Sequence, residues 1–71
     1  MKQELTPRQK EIYTFIVNFR KEKGYSPTFR EIGKGCFLAS SSTVARHVDN
    51  LVRKGYLDYI PYETRTLTPK I

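Results

Sequence analysis

The chain has 71 residues, with 13 Lys/Arg against 7 Asp/Glu and a formal net charge of +6 at pH 7. That length makes one domain with one small core and leaves no room for a deep enzymatic cleft beside a second domain. The single cysteine, Cys36, excludes an internal disulfide and a multi-cysteine metal site, and the cationic excess favours a polyanionic partner, nucleic acid before an anionic membrane face.

No apolar run approaches the roughly 18 residues that span a bilayer. The N-terminus, MKQELTPRQK, has no apolar segment of signal-peptide type. A soluble cytoplasmic chain is expected, with no cofactor, no metal, no small-molecule ligand and no membrane partner.

The first predicted helix covers about 7–23. Thr6 suits the N-cap, Pro7 the first helical position, and Gln9 completes a T-x-x-Q capping box. Ile12, Phe15, Ile16 and Phe19 form one apolar stripe. Arg20, Lys21 and Lys23 suit the negative end of the helix dipole, and Gly24 is the expected stop. Tyr25-Ser26-Pro27 reads as an extended connector, because a residue before proline avoids the helical region.

A second, short helix is predicted over about 29–35. Thr28 caps it, Glu31 completes T-x-x-E, and Ile32 points inward. Gly33 and Gly35 each cost a helix about 1 kcal/mol relative to alanine, so packing must hold it. The third helix is predicted over about 41–54, with Ser40 at its N-cap and Gly55 behind it. Val44, Val48 and Leu51 share one face; Ser42, Arg46, Asp49 and Arg53 fall opposite, flanked by Thr43 and Ala45. From Tyr56 the period changes. Tyr56 to Ile60 reads as a strand, Pro61 to Thr64 as a turn, and Arg65 to Thr68 as a return strand ended by Pro69. The fold class is therefore mainly α with a small β-hairpin: a winged helix-turn-helix occupying 1–71 as a single domain, with the wing at about 56–68.

A helix that enters the major groove needs small residues at its N-terminus, hydroxyl or amide groups, and a cation on the same side. Ser40, Ser41, Ser42 and Thr43 supply the first two, and Arg46 the third. Arg46 is suited to guanine O6 and N7. Arg30, Lys34, Arg53, Lys54 and Arg65 are candidates for the phosphate backbone, with Arg65 placed to reach a neighbouring minor groove from the hairpin. Each residue also has a plainer reading: the serines as capping, Arg46 as a solvated charge, His47 as a packed and hydrogen-bonded residue, Cys36 as a small core hydrophobe. Tyr56, Tyr59 and Tyr62 read as hairpin packing. The combination is more specific than any member. No nucleophile motif or Gly-rich phosphate loop is present, and no enzymatic activity is expected. The competing reading is a winged-helix protein-interaction module without a DNA target, motivated by the three tyrosines and by Asp49 on the supposed DNA face.

Four segments carry a family resemblance: L-T-x-R-Q at Leu5 to Gln9, G-Y-x-P-T-x-R-E-I-G at Gly24 to Gly33, L-A-S-S-S-T-V at Leu38 to Val44, and R-K-G at Arg53 to Gly55. The chain resembles the DNA-binding domains of the LexA family of SOS-response repressors, in the form found in Gram-positive bacteria. The resemblance implies a repressor of DNA-damage genes that binds palindromic operators as a homodimer, weakly associated or monomeric off DNA, and nucleoid-associated. It places base reading on Ser40, Ser42, Thr43, Ala45 and Arg46 and the wing contact on Arg65; Ser41, between the base-reading serines, is expected at the backbone with the cations named above. Three departures stand out. Phe37 occupies the turn position where the family has glycine, so either Phe37 takes a left-handed backbone or the turn shifts toward Gly35. Ala45-Arg46 replaces a His-Gly pair, so a different operator is expected. The family's self-cleaving Ser/Lys peptidase domain and main dimerisation surface have no counterpart in these residues, which implies a non-catalytic chain.

Overall fold

A computed structural model describes residues 4–60 and 65–70; the turn expected at Pro61 to Thr64, with Tyr62, lies outside them. Among the described residues the elements are α1 (Pro7–Lys23), α2 (Phe29–Gly35), α3 (Ser41–Arg53), β1 (Leu57–Asp58) and β2 (Thr68–Pro69). The strands pair antiparallel, Leu57 opposite Pro69 and Asp58 opposite Thr68. This is the three-helix, two-strand arrangement of a winged helix-turn-helix.

The starts of α1 and α2 are closed by reciprocal side-chain bonds. The Gln9 amide N–H donates to Thr6 Oγ1 at 3.2 Å, and the Thr6 N–H donates to Gln9 Oε1 at 3.1 Å. Thr28 and Glu31 repeat the pattern at 3.2 and 2.8 Å. Such boxes satisfy amides that the helix itself leaves unpaired. Helix α3 begins at Ser40, whose Oγ accepts from the Ser42 N–H at 3.2 Å.

The core is one cluster: Ile12 and Ile16 of α1, Ile32 and Cys36 from α2 and its cap, Val44, Val48 and Leu51 of α3, with Leu57 and Leu67 from the hairpin, all buried. The stripe of α1 is narrower than its sequence suggests. Phe15 and Phe19 are half-buried and stack at its edge, while polar Gln9 is buried instead. Gly35 is what admits Phe15: a Cβ there would lie 2.0 Å from a ring carbon. Cys36 packs as a core hydrophobe, and burial pushes its thiol pKa up, with Glu11 adding to the effect and Arg8 opposing it.

Helices α2 and α3 end alike but with different residues. After α3, the Tyr56 N–H bonds to the Leu51 carbonyl and the Gly55 N–H to that of Val52, both at 3.0 Å, with Gly55 at φ 84°. This is the Schellman arrangement, whose left-handed position favours glycine. After α2, the Leu38 N–H reaches back to the Gly33 carbonyl at 2.8 Å, and the left-handed position falls on Phe37 at φ 59°. Phe37 therefore carries the conformation itself, at a cost of roughly 1–2 kcal/mol, and the turn does not shift to Gly35.

The hairpin is shorter than its sequence pattern. Arg65 cannot belong to a return strand because its φ is 58°. Beyond β1, the Asp58 carboxylate accepts from the Tyr59 N–H at 2.9 Å, and the Thr66 hydroxyl replaces a backbone pair: it accepts from the Ile60 N–H at 2.9 Å and donates to the Ile60 carbonyl at 3.3 Å. Pro69 was expected to end the strand, yet it lies within β2. The Lys70 N–H bonds to the Tyr56 carbonyl at 2.9 Å. In the alternating antiparallel pattern this makes Leu57–Pro69 a non-hydrogen-bonded pair, where no N–H is needed. Tyr56 packs edge-on to Tyr13, with centroids 5.6 Å apart, and Tyr59 packs on Phe29 at 6.2 Å.

Candidate nucleic-acid interface

Helix α3 buries Val44, Val48 and Leu51 and turns Ser41, Ser42, Thr43, Arg46 and Arg53 to solvent, with the N-cap Ser40 also exposed and Ala45 half-buried. The geometry follows from the sequence: three branched residues at helical spacing fix the rotation of α3, and the small hydroxylated residues are left outward at its N-terminal turn. Arg46 is exposed and has no hydrogen bond or ion pair among the described residues. The same holds for Arg30 and Lys34, one turn apart on the outer side of α2. A cleft of about 280 Å³ lies between α2 and the start of α3, lined by Arg30, Lys34, Leu38 and Ser41 among others. The first turn of α3 thus sits beside two unpaired cations, an arrangement suited to the phosphates of a duplex.

The remaining candidates are engaged within the chain. Arg53 donates to the Asp49 carboxylate at 3.0 Å, four residues back on the same exposed face, and so neutralises the acidic residue there. Lys54 turns away to the start of α1, where Nζ donates to the Glu4 carbonyl at 2.9 Å and to Gln9 Oε1 at 2.8 Å. Nothing local in the sequence signals that link, which joins residues some 45 positions apart. Arg65 folds onto the N-terminal end of α2. Nη1 donates to Glu31 Oε1 at 2.9 Å and to the Ser26 carbonyl at 3.1 Å, Nη2 donates to Glu31 Oε2 at 3.3 Å, and the guanidinium lies 4.6 Å from the Tyr25 ring centroid. Nearby, Arg20 and Ser26 both donate to the Leu67 carbonyl, which ties the hairpin to the end of α1. His47 is half-buried, and its Nδ1 has no partner among the described residues, contrary to the hydrogen bond its position suggested.

Glu31 is thus both a capping residue and the anchor of Arg65. The Thr28 N–H first, and the Arg65 guanidinium second, hold its carboxyl below the usual glutamate range, against a smaller opposing effect of burial. The folded state favours the ionised form, so this stabilisation is complete above the usual glutamate range and fades as pH falls through the lowered value. Thermal midpoints measured down an acid series should decline more gently for Glu31→Gln than for the parent; parallel declines would remove Glu31 from the acid response.

No helix among the described residues is long and apolar enough to cross a membrane. A family model described as the LexA DNA binding domain matches residues 2–66. The LexA repressors of Staphylococcus haemolyticus, Staphylococcus epidermidis and Staphylococcus aureus (strain USA300) are each 48% identical to the chain over 64 residues. That stretch is 90% of this chain and 31% of each repressor, so the chain spans about a third of their length. Matched over nine-tenths of its length, and with three packed helices and a paired two-stranded wing in place, the chain belongs to the LexA DNA-binding domain family.

Proposed function

We propose that this chain is the operator-reading part of a LexA-type transcriptional repressor of the DNA-damage response. It binds double-stranded DNA by placing α3 in the major groove. The observation that carries this reading is the exposed, unpaired Arg46 on the same face as Ser42, one turn into a helix that starts on a hydroxyl-rich N-cap. Ser40, Ser42, Thr43, Ala45 and Arg46 contact bases; Ser41, Arg30 and Lys34 hold phosphates. Arg53 keeps Asp49 from repelling the backbone, and Lys54 supports the helix end. Arg65 serves the wing by exchanging Glu31 for a phosphate or a narrow groove. Two copies bind a palindromic site, and the association is weak off DNA.

A protein-interaction module is not favoured. Two of the tyrosines that motivated it are packed against Tyr13 and Phe29, and Asp49 is neutralised by Arg53.

Selection of bound sites from random duplex DNA tests the proposal. Recovery of a symmetric motif with half-sites about one helical turn apart, or a multiple of it, is the expected result. Recovery of no motif, together with no binding at about 50 mM salt, would remove the DNA-reading function. Arg30→Ala and Lys34→Ala should each weaken selected and random duplexes alike, and each should reduce the slope of log K against log salt by about 0.9 per bound copy. Unchanged slopes in both variants would detach the α2 cations from the backbone.

A further inference from the structure

Phe37 and Arg65 are the non-glycine residues with left-handed backbones among the described residues. They flank α2, one at each end. Arg65 offsets its strained conformation with bonds to Ser26 and Glu31 and a seat over the Tyr25 ring. Phe37 has only the helix-closing bond of the Leu38 N–H behind it to offset its own: its side chain is 92% exposed and stacks on no other ring among the described residues. Elsewhere the chain uses Gly24 and Gly55 for the same backbone. A bulky apolar ring stands where glycine would fold better and hydrate better. A left-handed backbone that carries an exposed apolar ring with no role inside the described chain points to an external contact.

The surroundings name the partner. Phe37 immediately precedes Leu38 and Ala39, which line the cleft between α2 and the first turn of α3. Arg30 and Lys34, exposed and unpaired, line the same cleft. Three residues further on is Ser40, the N-cap of the groove-entering helix. A polyanion drawn to that cleft brings its own apolar surface with it. In duplex DNA this consists of the deoxyribose carbons along the groove wall and the thymine methyl in the major groove, which is known to accept phenylalanine.

We propose that Phe37 is a DNA-contacting residue whose ring lies against the duplex at the edge of the groove that α3 enters. The assignment rests on the DNA-reading function above. It makes the helix-turn-helix turn a further contact region, beside the recognition face, the α2 cations and the wing, and gives this chain a contact that a glycine turn lacks.

The chain has no tryptophan, so Phe37→Trp installs a unique fluorescent reporter at the turn. Emission is measured alongside anisotropy of a labelled duplex recovered by the selection above. Contact predicts a shift to shorter wavelength or a change in intensity that follows the anisotropy. Phe37→Gly and Phe37→Asn, both tolerant of the left-handed backbone, should melt at higher temperature than the parent yet bind the duplex about tenfold more weakly, the loss from leaving part of one aromatic side chain uncovered. Binding by both variants as tight as the parent's, or tryptophan emission that stays fixed while anisotropy rises, would overturn the contact and leave the DNA-reading function standing. An emission shift produced by raising protein concentration without DNA would place the ring between two copies of the chain and overturn it as well. A parent chain that binds no duplex at low salt would overturn both.

Discussion

Ile32→Ala should lower the thermal midpoint of the domain by about 8–40 °C. Truncating a fully buried isoleucine to alanine costs roughly 2–5 kcal/mol, and each kcal/mol moves the midpoint of a domain this size by about 4–8 °C. A domain of this length has a total stability of only about 4–11 kcal/mol. Ile32 has no exposed surface and sits at the centre of a seven-residue helix that holds two glycines. No local propensity can compensate, because Gly33 and Gly35 already weaken the helix and neither is freely replaced: a Cβ on Gly35 meets the Phe15 ring, and one on Gly33 comes within 3.0 Å of the Leu38 carbonyl. Loss of Ile32 should therefore release α2 from α3 and, with it, the angle at which α3 is presented. Circular dichroism melts of parent and variant decide the matter. A fall of less than about 5 °C would mean that the end contacts of α2, and not its core residue, hold it in place.

Arg46→Ala should abolish the preference for one base pair in the selected operator while leaving binding to random duplex almost intact. A bidentate arginine–guanine contact discriminates by roughly 1–3 kcal/mol, which is about five- to 150-fold in relative affinity. Arg46 is free to make it, since no acidic group within the described residues holds its guanidinium. Arg53, about two turns further along, is already paired with Asp49 and should behave differently: its removal exposes a negative charge to the backbone and weakens every sequence. Competition binding with the selected site and its single-base variants separates the two. If Arg46→Ala weakens operator and random DNA by the same factor, base reading by this residue is excluded.

Much of this architecture was legible in the sequence, because the features that set it are local. Two capping boxes announced the starts of α1 and α2, and the spacing of Val44, Val48 and Leu51 gave the rotation of α3 and hence its outward face. Phe37 was legible as a problem, though not as a solution. The sequence left open whether the turn would move to Gly35; in the structure Gly35 stays helical against the Phe15 ring of another helix, and the left-handed position falls on Phe37. The wing was the least legible part. Alternation pointed to two longer strands, but Arg65 is drawn out of the strand by Glu31 and Tyr25, Thr66 pairs through its side chain, and Pro69 is tolerated because its register needs no donor. The link from Lys54 to Gln9 joins the two ends of the helical bundle and leaves no periodic trace.

Helix α2 is gripped at both ends by guanidinium groups from distant parts of the chain. Arg8, near the start of α1, donates to the Cys36 carbonyl at 3.1 Å, and Arg65, from the hairpin, clasps Glu31. Mechanically, α2 is a strut about 10 Å long, pinned where the reading helix begins and where the wing returns. A rigid strut fixes the offset between those two surfaces, so a duplex that touched both the turn and the wing would have to meet them in a set phase. Shortening or lengthening α2 by one residue would shift that phase by about 100° of helical rotation, and a duplex that suits one surface would then miss the other.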